Sequence, residues 1–247
     1  MIEAEIHELW RSLTQAGGRQ LSAEQVAQLE GYLDRLIAVN EVMNLIRVSD
    51  RDEARIAHVA DALTLLPHIP PTTKVLADIG SGGGIPGMVL AIALPGVRVV
   101  MVESIQKKAR FLDETARALG LTNVEVRPIR AEDAGQIGDY GKKRSDLREG
   151  CDVVTARALG ALVVLVEWCL PLVKVGGKLL AMKGPKLTNE LPAARQAIRL
   201  LGGGESVVHA AKGLPGETGH VICEIPKVAR TNEKYPRTPA ETKGNPL

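Results

Sequence analysis

Residues 76–87 read LADIGSGGGIPG. An apolar run ends at Asp78, and five glycines follow between positions 80 and 87. Glycine loses more backbone entropy on folding than any other residue, so such a cluster marks a turn that needs what only glycine gives. Either the backbone is left-handed there, or something lies too close for a Cβ. A strand that breaks into a glycine turn and continues as a helix is the first βα connection of a doubly wound sheet, and such sheets bind ligands at that crevice. A ligand resting on Gly80, Gly82 and Gly84, where a Cβ would collide with it, is the expectation.

The rest of the chain follows the same pattern from residue 74 onward. Strand-like runs KVLADIG, VRVVMVE, NVEVRPI, CDVVTAR, GKLLAMKG, ESVVHAA and GHVICEIP alternate with helical stretches at 87–94, 106–119, 160–174 and 187–201. Such alternation means a largely parallel sheet covered on both faces. The last two runs have no helix between them, which predicts a hairpin and an antiparallel final strand. Seven strands are expected. Residues 1–70 are read as a helical cap: EIHELWRSLTQAG carries a helical apolar stripe, Ser22 is placed to cap the next helix, and a third segment runs from Asp50 to the prolines at 70 and 71. Residues 71–228 form the main domain. Residues 138–150 are read as a surface loop, and 229–247 as a basic tail with no core of its own, whose removal would leave the melting temperature unchanged.

Aromatic residues make up 2% of the chain and Phe111 is the one phenylalanine, so the core must be built of Leu, Val, Ile and Ala. The longest apolar stretch, residues 161–173, contains Glu167 and is too short to span a bilayer. The start MIEAEIHELW has acids where a secretory leader carries a basic head, and Cys151, Cys169 and Cys223 are odd in number and lack metal spacing. A cytoplasmic protein with buried free thiols, not associated with membranes, is expected. Residues 1–73 hold 6 basic and 11 acidic side chains, a net of −5, whereas 74–247 hold 25 and 18, a net of +7. A polyanionic partner would face the second part.

The glycine pattern fits a dinucleotide badly. Counting from Gly80, the third glycine position of G-x-G-x-x-G is Ile85; counting from Gly82, Pro86 falls inside the turn. Asp78, two residues before the first glycine, would repel a diphosphate but suit the cationic end of S-adenosylmethionine. Both ligands stay open on these residues, with adenosylmethionine the better fit. Glu103 ends the second strand, where an acid accepts hydrogen bonds from ribose hydroxyls. Glu132 and Asp133 follow the third strand, near where an adenine would lie.

DIGSGGGIPG, VESIQKKARFL, RAED, TARALG and AMKGP, with NEVMNLIRV and HVADAL upstream and YPRTP downstream, resemble in order the ribosomal RNA small subunit methyltransferase G family, also called glucose-inhibited division protein B. The resemblance spans roughly residues 30–247. It implies an α/β, Rossmann-like class I methyltransferase fold with a seven-stranded, mostly parallel sheet and an N-terminal helical cap. It implies an enzyme that transfers a methyl group from S-adenosylmethionine to N7 of a guanosine in the decoding-region loop of 16S rRNA, free or within the small ribosomal subunit. A monomer is expected. Methyltransferases of small molecules share the fold and are the alternative. Carried over by motif, cofactor contacts fall on Gly80, Ile85, Glu103, Ser104, Ile105, Ala131, Glu132 and Arg157, beside Asp78 and Gly82. Ile85 stands where the family has Phe, and Ile46 where it has Thr.

Guanine N7 has a free lone pair, so no proton need be removed first. In keeping with this, the chain lacks the Asn/Asp-Pro-Pro-Tyr/Phe motif of amino-methylating enzymes and the Pro-Cys motif of cytosine methylation. No catalytic acid or base is expected; catalysis is positioning. Arg157 and Lys183, at the ends of the fourth and fifth strands, are candidate acceptor contacts. His58 and Asp61, three apart on one helix face, either pack over the crevice or face solvent. Lys107, Lys108 and Arg110 are candidates for RNA phosphates, and Tyr235 for stacking on a base. The five histidines are scattered without HExxH or CxxC spacing, so no metal site is expected.

Overall fold

The computed structural model describes residues 3–47, 50–136, 145–216 and 219–247. Seven strands, β1 (Val75–Ile79), β2 (Arg98–Val102), β3 (Val124–Arg127), β4 (Cys151–Arg157), β5 (Val173–Lys183), β6 (Val207–Ala210) and β7 (Val221–Pro226), form one sheet in the order 3-2-1-4-5-7-6. β3, β2, β1, β4 and β5 are parallel, and β7 runs antiparallel to both β5 and β6. The expected number of strands, the parallel core and the terminal hairpin are all present.

Strand side chains alternate between two apolar layers, as a period of two requires. Leu76, Val99, Met101, Val153, Leu180 and Ile222 face one layer; Ala77, Ile79, Val100, Val154, Leu179 and Cys223 face the other. The first layer is completed by the N-terminal helices, α1 (Glu3–Ala16) and α2 (Ala23–Met43), together with α5 (Gly87–Ala93) and α6 (Gln106–Ala118). The second lies under α7 (Ala131–Gly135), α8 (Leu162–Cys169) and α9 (Leu187–Leu200). Cys151, Cys169 and Cys223 are buried free thiols. No helix among the described residues is long and apolar enough to cross a membrane.

The N-terminal helices meet the sheet over a continuous apolar contact that includes Trp10, Leu29, Tyr32 and Leu36. Ser22 caps α2 through a reciprocal capping box with Gln25. The third helical segment is broken where a single helix was expected. After α3 (Arg51–Ala54) a π-helical turn (Arg55–Ala60) leads into α4 (Asp61–Leu63), and a 3-10 turn (Leu66–His68) follows. This arrangement buries Arg55, His58 and Asp61. The Arg55 guanidinium pairs with Glu30 at 2.9 Å, Asp52 at 2.6 Å and Glu3 at 2.9 Å, and its carbonyl accepts from the Trp10 indole at 3.1 Å.

Two expectations about polar segments do not hold. Residues 138–144 of the supposed surface loop lie outside the described residues. Its remainder turns inward, with Leu147 and Arg148 buried. Arg148 donates to the carbonyls of Tyr235 at 2.7 Å and Thr231 at 3.1 Å. The residues after β7 accordingly pack on the protein. Tyr235 is buried in the second layer, which removes it as a stacking surface for a base. Lys227 is buried and donates to the carbonyls that end two helical segments, Leu170 at 2.7 Å and Leu201 at 3.0 Å, and burial lowers its pKa to about 8. Arg237 grips Glu167 of α8 with Nε at 2.8 Å and Nη2 at 2.7 Å, and Thr238 caps a short helix, α10 (Pro239–Gly244). Composition could not reveal this, because the anchors are carbonyls and one carboxylate and not an apolar stripe.

Glu167 is fully buried. Arg237→Ala would leave its carboxylate without its cationic partner, a loss of about 3–5 kcal/mol, read as a fall in melting temperature of roughly 10 °C. Truncation after Ala229 should cost at least as much. An unchanged melting curve for either variant would mean that the segment contributes nothing to the fold.

Candidate functional site

The glycines between β1 and α5 are required by the protein itself. Gly80, Gly82 and Gly84 have φ of 70°, 55° and 101°, the left-handed region that disfavours any side chain. A Cβ on Gly83 would come within 2.9 Å of Leu36, and one on Gly84 within 3.0 Å of Leu112 and 3.3 Å of the Tyr32 hydroxyl. On Gly87 it would meet Asp78 Oδ2 at 2.7 Å. The need for glycine at Gly80, Gly82 and Gly84 thus does not depend on a bound nucleoside, the reason expected from sequence. Backbone torsion and the close approach of α2 and α6 are sufficient. The Tyr32 hydroxyl, fully buried, donates to the Gly83 carbonyl at 2.9 Å and ties the loop to the N-terminal helices.

Asp78 is turned inward. Its carboxylate, 1% exposed, lies under the loop. Oδ1 accepts from the Thr155 hydroxyl at 2.9 Å and Oδ2 from the Gly87 amide at 3.2 Å. It braces the two ends of the glycine turn against β4. Burial pushes its pKa up to about 6, against the hydrogen bonds that favour the anion.

Above the C-terminal ends of β1, β2 and β3 lies a crevice of about 570 Å³. Of the residues expected to hold a cofactor, Gly80, Glu103, Ser104, Ala131 and Glu132 line it, whereas Asp78, Gly82, Ile85, Ile105 and Arg157 do not. Glu103 Oε2 accepts from the Gly82 amide at 2.9 Å and Oε1 from the Ile105 amide at 2.8 Å. One carboxylate thus holds both the glycine turn and the start of α6, and each oxygen keeps a further lone pair. Glu132 is buried, and its Oε1 has no hydrogen-bond partner, with the Arg130 guanidinium 3.8 Å away. Ile85 packs into the first apolar layer. Leu159, Trp168 and Pro239 complete the apolar wall. Trp168 and Pro239 carried no sequence signal, because α8 reads as plain core and Pro239 belongs to the segment after β7.

A second cavity, of about 360 Å³, shares Ala158 with the first and is lined by Asp61, Arg157, Lys183 and His220. Asp61 is buried. Its Oδ1 lies 3.1 Å from His220 Nδ1 and its Oδ2 3.5 Å from Arg157 Nη1. Arg157 also donates to the Ala57 carbonyl at 3.0 Å, so it clasps the N-terminal helices instead of reaching the first crevice. Lys183 donates to the Gly160 carbonyl at 2.9 Å and pairs with Glu190 at 2.6 Å. Asp61 therefore faces the second cavity from a buried position, so the solvent-facing reading falls for it and for His58, which is also buried. His220 was missed because one histidine between two strands has no spacing to set it apart. Ala158, with φ of 56°, holds the shared wall in a conformation costly for a non-glycine residue.

Residues 25–217 match the family model described as rRNA small subunit methyltransferase G. A Lactobacillus johnsonii protein named ribosomal RNA small subunit methyltransferase G is 38% identical over 233 residues, covering 93% of this chain and 95% of its own. A protein of the same name from Alkaliphilus oremlandii is 36% identical over 246 residues, covering 98% and 99%. Among solved structures, cofactor-bound Rv0187 from MTB superimposes with a TM-score of 0.53 at 21% identity, over 81% of this chain and 90% of its own. That likeness is one of fold.

Because the folded-state pKa of Asp78 is raised to about 6, the folded protein binds the extra proton between pH 4 and 6. Its contribution to stability is complete at low pH and is lost as pH rises through 6, a change of about 3 kcal/mol. Asp78→Asn removes this titration. Denaturant unfolding at pH 4 and at pH 7 should show the wild type losing about that much stability relative to the variant. A difference independent of pH would assign Asp78 an ordinary pKa.

Proposed function

The chain belongs to the rRNA small subunit methyltransferase G family, and we propose that it forms N7-methylguanosine in the decoding-region loop of 16S rRNA with S-adenosylmethionine as donor. The observation that carries this reading is the family match over residues 25–217, joined to two adjoining cavities that meet at Ala158.

The first cavity suits the donor. Glu103 stands where both oxygens can accept from ribose hydroxyls while still holding the Gly82 and Ile105 amides. Glu132 Oε1, buried and without a hydrogen-bond partner, is an acceptor that fits the exocyclic amine of an adenine. Leu159, Val164 and Trp168 supply the apolar wall for a purine ring. When bound, S-adenosylmethionine supplies a methyl group on a positively charged sulfur.

The second cavity suits the acceptor guanine. Asp61 presents a carboxylate to the N–H donors of a guanine edge, oriented by His220 and Arg157. No residue has to take a proton before N7 reacts, because its lone pair is free. The task of the chain is to hold the base in line, an effect worth up to about 7–11 kcal/mol when the geometry is right. Asp61 also places a negative charge near a base that becomes cationic. Lys183 and Glu190 brace the 157–162 turn, with Glu190 Oε2 accepting from the Leu162 amide at 2.7 Å. The +7 net charge of residues 74–247 favours an RNA partner.

Purified protein given tritiated S-adenosylmethionine and small subunits from cells lacking the gene should label one guanosine, recovered as 7-methylguanosine. Glu103→Gln should weaken donor binding in calorimetry by roughly 10–100-fold, the loss expected for hydrogen bonds to a charged group. Label on another atom of the base, or on small molecules only, would overturn the assignment.

A further inference from the structure

Away from both cavities, three residues remote in sequence come together under the N-terminal helices. His68 ends the 3-10 turn that precedes β1, His209 lies in β6, and Glu224 lies in β7. His209 Nε2 is 3.2 Å from Glu224 Oε2, and His68 Nδ1 is 3.8 Å from the same oxygen. The two imidazole rings are 4.2 Å apart between centroids, and one ligand atom from each of the three residues falls within 4.8 Å of the others. Donor atoms on a tetrahedral zinc ion, bound at about 2.1 Å, lie roughly 3.4 Å from one another. The observed separations straddle that value, so small side-chain rotations would close the set.

We propose that His68, His209 and Glu224 bind a borderline divalent transition-metal ion of the Zn²⁺ class. Two imidazoles and one carboxylate form the donor set that such ions take and that Mg²⁺ and Ca²⁺ do not favour. A cavity of about 430 Å³ lined by Thr64, Pro67, His68 and His209 leaves room for water as a fourth ligand. Lys178 donates to Glu224 Oε1 at 2.5 Å. That contact occupies one carboxylate oxygen and turns the other toward the histidines, as an outer hydrogen-bond partner of a ligand does. Its charge also opposes a cation, which keeps affinity below that of a site without it. The absence of a metal site expected from sequence is thereby replaced by a specific candidate. Spacing could not show it, since the ligands come from three separate elements. Bound there, the ion would join the turn before β1 to the β6–β7 hairpin. The same hairpin carries His220 to Asp61.

The test uses the full chain without a histidine tag, stripped by chelator and dialysed. Co²⁺ should develop visible absorption that saturates at one equivalent. Zn²⁺ should displace it, bind in calorimetry with a stoichiometry of one, and raise the melting temperature. H209Q and E224Q should each weaken Zn²⁺ binding by at least about tenfold, with circular dichroism unchanged, while H7Q should not. Affinity equal in wild type, H209Q and E224Q would overturn the proposal. Should either variant fail to fold, the wild-type protein decides: Co²⁺ without saturable absorption at one equivalent rejects the site.

Discussion

The hydrogen bond from Tyr32 to the Gly83 carbonyl, with Leu36 packed on the same glycine, is the contact on which the arrangement of this molecule rests. It seats the turn after β1 on the N-terminal helices, so those helices help to hold the turn that borders the crevice. A buried tyrosine hydroxyl and a buried main-chain carbonyl each need a partner, and each supplies the other's. Asp78 does the same from below, through Thr155 and the Gly87 amide. A glycine turn can adopt many conformations. Here it is confined from two sides before any ligand arrives, and such preorganisation lowers the cost of binding.

The proposed reaction and the architecture agree. A neutral nucleophile and a charged donor ask for alignment and not for proton transfer, and the polar groups around the two cavities are mostly engaged with the protein. Arg157 clasps the Ala57 carbonyl, Lys183 holds the Gly160 carbonyl, and Glu103 spans two amides. Charged side chains used in this way fix backbone. The strained Ala158 between the cavities is held by these ties on both sides. Under the proposed assignment of the two cavities, this wall has to be rigid if a methyl group is to cross it along one line.

The strands, their parallel order and the final hairpin were legible in the sequence because apolar runs and glycine breaks are local signals. Glu103 and Glu132, which line the crevice, stood out in the sequence as acids just past strand-like runs, whereas Ser104 and Ala131 were marked only by the family resemblance. The direction in which Asp78 points was not legible, since a strand-end acid reads the same whether it faces up or down. Asp61, Arg157 and His220 lie far apart in the chain, and no spacing rule joins them. The segment after β7 was misjudged for a related reason. Its anchors, Arg148, Lys227 and Arg237, bind carbonyls and a lone glutamate, and composition counts such residues as solvated. The helix interrupted by a π turn was likewise hidden, because its break depends on where Arg55 and Asp61 find partners.

Pro239, brought over α8 by the Arg237–Glu167 pair, forms one side of the crevice above β1, β2 and β3. Every strand of the sheet precedes it in the chain. During translation the sheet and its glycine turn therefore leave the ribosome before the crevice has its last wall. A nascent chain halted after β7 would carry the whole sheet and its glycine turn and still lack one wall of that crevice.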